Sequence, residues 1–299
     1  GYAGGKNLLV GNWAANPNAI PISALQFRDK LNDEDFNRSL RPYPQFKSFE
    51  VFSSWPRGRY QRQAGYARAE KRASAGLTMG LSYECGKQWD DYSGPLGTQD
   101  FFNGDNEWSL AAGVSRHRFS MTYMYELPLG SNKPLLNYSD WRKHLVDGWS
   151  ISGVTSMSSG DPLALRPMFN NTGGVLSGLH VNVVPGVNPH VENPGPEMWF
   201  NPAAFDQPPD FTFGNASRTH PSLRGPISQN HDLSLAKRFA LASDRAVEFT
   251  AVGLNWLNHA NWNDPDTTIG PASSPNLNAG KIIGSRGGRI VQLGLRLTF

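Results

Sequence analysis

Ser234 and Lys237 stand three residues apart, the S-x-x-K spacing in which a lysine one helical turn away activates a serine nucleophile. That chemistry needs a helix. Residues 231–239 instead alternate apolar and polar, so the two side chains point to opposite sides of a strand. No S-D-N or K-T-G partner accompanies them. The seven histidines, at 117, 144, 180, 190, 220, 231 and 259, show no H-x-x-x-H or H-E-x-x-H spacing, so they do not read as a zinc site. His117 and His231 fall at strand starts, where hydrogen bonding at a membrane or solvent boundary is the expected role. Asp100, Asp105, Asp264 and Asp266 are of the type that ligates calcium from loops, but read as solvated loop carboxylates. No glycine-rich loop is placed to cradle a phosphate. No catalytic residue, metal or cofactor is therefore expected. Six further charges, Glu84, Arg118, Glu126, Asp232, Arg238 and Arg296, each fall on the polar side of an alternating segment.

Composition narrows the classes. The net charge of +3 and the lack of a long Lys/Arg run argue against nucleic acid as a partner. Cys85 is the one cysteine, which excludes an internal disulfide framework. No stretch approaches ~18 consecutive apolar residues, so no transmembrane helix is expected. Gly (31) and Pro (22) are abundant enough to predict many turns. The opening GYAGGK reads as if the chain begins partway through something.

The positioning elements are strands. Leu77, Met79, Leu81, Tyr83 and Cys85 alternate with Thr78, Gly80, Ser82, Glu84 and Gly86. The same period of two runs through 117–127, 148–158 and 231–239, and less cleanly through 245–258. At the end, Val291, Leu293, Leu295, Leu297 and Phe299 alternate with Gln292, Gly294, Arg296 and Thr298. Residues 60–72 are the weakest strand, and 1–6 read as the tail of another. Proline removes a ladder donor, and none of the 22 prolines falls within the windows 60–72, 77–87, 117–127, 148–158, 231–239, 245–258 and 287–299. Helical periodicity is nearly absent; residues 22–31 are the best candidate for a short loop helix.

Connection lengths alternate. Residues 73–76 and 240–244 are tight turns and 128–147 a medium connection, while 7–59, 88–116, 159–230 and 259–286 are long. An antiparallel up-and-down meander with all its long loops at one end produces this order. Transmembrane barrels sort their loops this way, with short periplasmic turns and long extracellular loops. Most windows also match the roughly 9–11 residues of a tilted membrane-crossing strand. Tyr125, Trp149, Phe239 and Phe299 lie near the short-turn ends and Trp89 and Trp256 near the long-loop ends, as two aromatic girdles would. The expected fold is all-β, part of an outer-membrane β-barrel, with the six charges facing the lumen as a polar lining.

A series of motifs then carries a resemblance. RPYPQF (41–46), EKRASAGL (70–77), LSYECGKQWDD (81–91), RHRFSMTYMYELPLG (116–130) and GWSISGVTSMSSGDPL (148–163) come first. NVVPGVNP (182–189), WFNPAAF (199–205), FGNASR (213–218), LRGP (223–226), NHDLSLAKRF (230–239), LNWLNHANW (254–262) and IVQLGLRLTF (290–299) follow. In this order they resemble the C-terminal part of a TonB-dependent outer-membrane receptor, of the Oar-like type with a carboxypeptidase-regulatory-like N-terminal domain. The chain departs from that family at Cys85 and Gly86, where a small polar pair is usual, and at Val252, where an acidic residue is common.

The resemblance implies that residues 1–299 are the C-terminal portion of a larger barrel whose plug, TonB box and first strands lie outside this sequence. It implies that Phe299, with Leu297, Leu295 and Leu293, forms the C-terminal signal for the barrel-assembly machinery. The implied function is uptake of an unknown substrate in a Gram-negative outer membrane. The implied partners are outer-membrane lipid, the assembly machinery, the ligand, and the TonB complex through the plug region. Two rival readings of the residues stay open: a self-standing small barrel acting as a structural protein, adhesin or minor pore, and a secreted β-sandwich that binds carbohydrate through its loop tryptophans.

Overall fold

The computed structural model describes all residues except 11–16, 48, 50–54, 93–97, 101–102 and 242–244. Eight long strands form one antiparallel sheet: β1 (Tyr2–Val10), β2 (Trp55–Ser74), β3 (Leu77–Asp90), β4 (His117–Glu126), β5 (Trp149–Ser158), β6 (Ser228–Ala240), β7 (Ala246–Leu254) and β8 (Ile290–Thr298). They are hydrogen-bonded in chain order, β1 to β8, with the two-residue strand Ser109–Leu110 pairing to β3. This is the expected meander. Among the described residues, no pairing joins β1 to β8.

Each alternating segment became a strand because its period of two puts the apolar side chains on one face. The ends differ in places. Residues 2–6 are the start of a nine-residue strand, not a short tail. The weakest segment, 60–72, lies within the longest strand, β2, at 20 residues. β2 reaches back to include Pro56, which stands beside a register irregularity at Leu8 and Leu9 of β1, where a missing donor interrupts least. The segment 245–258 is overlong as a strand: β7 ends at Leu254 because Asn255 and Asn258 turn the chain with φ of 48° and 52°. Asn255 is buried, and its amide donates to the carbonyls of His259 and Gly287.

The β2–β3 connection is a two-residue turn with φ of 51° at Ala75 and 78° at Gly76, the mirror-image geometry that matches strand twist. A Cβ on Gly76 would come within 2.9 Å of the Glu126 carbonyl. The tight turn expected at 240–244 lies largely outside the described residues. The candidate helix at 22–31 is a 3-10 segment, Ile22–Asn32, broken at Arg28, followed by a short helix α1, Glu34–Ser39, capped by Asp33.

The core does not lie in the sheet. Of the buried hydrophobic side chains described, only Ala246 belongs to a long strand. Leu163, Leu165, Val181, Phe200, Phe205, Leu223 and Ile269 form one cluster, and Ile20, Ala24, Leu31, Val175, Leu176 and Phe211 another. Both are built from the long connections, which therefore fold together as a cap at one end of the sheet. The outer face of the wall is bare by contrast: Leu293 and Leu295 are 70% and 75% exposed. A face this apolar and uncovered is unstable in water and suited to lipid.

Candidate functional site

In an antiparallel ladder, directly opposed residues share a face. The register therefore sorts the wall into two surfaces. Tyr66, Glu84, Arg118, Ser158 and Ser228 stand opposite one another in a single rung across β2 to β6. Two residues along each strand, Arg68, Ser82, Ser120, Ser156 and Asn230 make a second rung on the same face. Ten consecutive polar positions over five strands give a patch of hydroxyls, an amide, two guanidinium groups and a carboxylate. Glu84 is held by a short ion pair with Arg62 and stands opposite Arg118.

Two hollows open on this patch. One, of about 390 Å³, lies against Tyr66, Arg68, Ser82, Glu84, Arg118 and Ser120. The other, of about 330 Å³, lies against Gly113, Ser115, Arg118, Ser156, Ser158, Asp161 and Ser228. Arg118 lines both. A third hollow, of about 640 Å³, sits beside Tyr2, Lys6, Arg59, Tyr60, Asp105 and Trp108. There Arg59 lies 5.2 Å from the Trp108 ring and pairs with Asp91 at 2.9 Å and Asp105 at 2.8 Å. Tyr83 and Phe119 also line the first and Phe119 and Met157 the second, so these hollows offer a mixed polar and apolar lining. In the second, the Ser115 hydroxyl donates to the Asp161 carboxylate at 2.6 Å.

The six charges expected at the lumen share this polar face. Besides Glu84 and Arg118, Arg238 stands opposite Glu248, which stands opposite Arg296, forming a charged row at the short-turn end. Glu126 lies 4.0 Å from Lys133. Asp232 accepts the Asn255 backbone N–H at 2.9 Å and so anchors the turn that ends β7. Ser234 and Lys237 fall on opposite faces, opposed to Ser152 and Trp149 respectively. His117 bonds the Tyr83 hydroxyl at 2.8 Å and His231 the Thr155 hydroxyl at 3.2 Å, both on the apolar face. The four loop aspartates do not converge. Asp105 pairs with Arg59, Asp266 accepts from Thr268 and Asn276, and Asp100 accepts from Asn103. Partial desolvation and then nearby Asp161 hold the Asp264 carboxyl above the ordinary range, against a smaller effect of Arg286. Phe299, Leu297, Leu295 and Leu293 are all exposed.

A buried polar network fastens the cap to the wall. Arg218 donates to the Asp90 carboxylate at 2.5 Å, to the Asp90 carbonyl at 3.0 Å and to the Glu107 carbonyl at 3.0 Å. The Glu107 carboxylate accepts from the Gln99 backbone at 2.7 Å and lies 3.4 Å from His180 Nε2. Gln99 in turn receives the N–H groups of His180 and Gly214. Arg218 ends the FGNASR motif and Asp90 lies in LSYECGKQWDD, but nothing in their spacing announces that they meet.

The family described as an outer membrane beta barrel domain matches residues 1–292. No curated protein and no solved structure matches the chain. With a single antiparallel meander, one polar and one bare apolar face, and a match over nearly its whole length, the chain belongs to the outer membrane beta barrel domain family and is an outer-membrane protein.

Proposed function

We propose that this chain forms wall and surface loops of a TonB-dependent receptor that takes up a polar solute, and that it performs no catalysis itself. The double polar rung across β2 to β6 is the observation that supports this reading most. It offers Arg68, Arg118, Glu84 and a run of hydroxyls beneath a folded cap, a surface suited to binding and releasing a solute. The polar face is the lumen and the leucine face meets outer-membrane lipid. The ordered motif series supports the receptor assignment. Energy then comes from the TonB complex through a plug region, and the leucines of β8 with Phe299 serve the assembly machinery.

The test compares solute depletion by Gram-negative cells carrying the intact gene, a gene deletion, and an Arg118→Ala, Arg68→Ala double variant. Each is repeated without TonB. A solute whose uptake falls at least tenfold on gene deletion, on loss of TonB and in the double variant supports the proposal. Uptake that persists without TonB indicates a passive pore and overturns it.

A further inference from the structure

The connection between β4 and β5, residues 127–148, is more built than a turn needs to be. The Asp147 carboxylate receives the Ser131 N–H at 2.7 Å and its hydroxyl at 2.8 Å. Gly130 packs so closely on Asp147 that a Cβ would overlap the carboxylate. A short helix α2, Lys143–Val146, precedes Asp147. Yet the segment leaves Trp141 69% and Leu145 58% exposed, with Leu135 and Leu136 also exposed.

Its side of the wall is fixed by two contacts. Trp149, Lys237 and Phe239 all stand on the apolar face by register. The Trp149 indole donates to the Leu145 carbonyl at 2.8 Å. Lys237 Nζ makes a short bond to the Asp147 carbonyl and lies 5.4 Å from the Trp149 ring and 4.8 Å from the Phe239 ring. Residues 145–147 therefore lie under the apolar face, while Lys133 at the start of the connection reaches Glu126 on the polar one. Lys237, the one cation on the apolar face of β6, is drawn down to Asp147 instead of pointing into hydrocarbon.

We propose that residues 135–146 form a shelf that lies in the lipid headgroup region at the short-turn end of the wall, with Trp141 and Leu145 seated at the acyl boundary. The occupant is lipid because the shelf adjoins the lipid-facing surface at Trp149 and Phe239, with Lys237 buried beneath the join. Lys133, Arg142 and Lys143 accompany Asp140 and Asp147, the mixed charge that suits zwitterionic headgroups. The inference rests on the apolar face being the lipid face.

The test uses the full chain with Cys85→Ser and one new cysteine, at Leu145 or at Trp141, carrying an environment-sensitive fluorophore. The protein is refolded into phosphatidylethanolamine–phosphatidylglycerol vesicles. Labels at Leu233→Cys and Asn215→Cys serve as wall and cap references. Expected is quenching at 145 and 141 at least threefold stronger by a nitroxide near the headgroup than by one deep in the acyl chain, with little quenching by iodide. Iodide quenching equal to that at position 215, with no response to either nitroxide, overturns the shelf. Protection from iodide without nitroxide quenching also overturns it, since protein then covers the site. If the label at 233 also ignores both nitroxides, it is the lipid face itself that fails, and the shelf with it.

Discussion

Arg218 illustrates how single side chains hold the cap. It is buried and satisfied by one carboxylate and two carbonyls. Removing it strands Asp90 beside a desolvated cavity, which costs about 3 kcal/mol or more for a buried charge pair. Arg218→Ala should speed protease nicking within 159–227 at least tenfold while the wall stays folded on a gel that separates folded from heated barrels. Arg218→Lys should rescue only partly, because an ammonium cannot span the same three acceptors. His220 gives a pH dependence. Burial and then the neighbouring His190 hold its pKa below the ordinary 6.5, and its Nδ1 accepts the Leu223 N–H at 3.0 Å. The unfolded cap thus binds a proton more readily than the folded one, so stability is lost as pH falls below 6.5. Nicking should be faster at pH 5 than at pH 7.5, and His220→Asn should flatten that difference. Arg218 was not legible beforehand, since a role set by partners more than 100 residues away leaves no local pattern, and His220 showed only as one of seven histidines without a spacing, because burial and His190 set its behaviour.

At the scale of elements, the β2–β3 turn invites an improvement. Ala75 holds φ of 51° before Gly76, a conformation in which asparagine is at ease and alanine is not. Ala75→Asn should raise stability by about 0.5 kcal/mol, read as a higher urea midpoint for the refolded protein. The orientation of the loops is tested by impermeant labelling of intact cells in a Cys85→Ser background. Asn215→Cys in the cap should label, and Asn137→Cys in the β4–β5 connection should not; the reverse would falsify the topology. Ser243, in the tight turn expected from the sequence at 240–244, lies outside the described residues. The strands themselves were plain in the sequence because alternation and the absence of proline are local. Their errors were local too: apolar residues continue through Trp256 and Leu257, and only the left-handed backbone at Asn255 shows where β7 stops. The serine rungs were hidden for a different reason. Ser82, Ser120 and Ser156 look like the polar half of three separate strands until register lines them up.

At the scale of the molecule, wall and cap are stabilised by different means. The wall is a hydrogen-bonded ladder whose leucines face outward, while the cap buries Phe200, Val181 and Leu31 away from water. Urea should therefore release the cap first, with tryptophan emission changing at a lower concentration than loss of the heat-modifiable gel shift. Coincident transitions would show the two to be one cooperative unit. The chain thus obeys two opposite rules for the same amino acid. Leucine at 165 contributes by leaving water, so its replacement by alanine costs about 2–5 kcal/mol of cap stability and opens a void. Leucine at 295 contributes by entering oil, and a charge there is penalised where alanine is tolerated. Cooling weakens the first contribution, because burial from water is driven by entropy near room temperature, and leaves the second intact once the protein is inserted. A cell growing in the cold would loosen this protein from the outside inward, with its surface cap yielding while its passage through the membrane held.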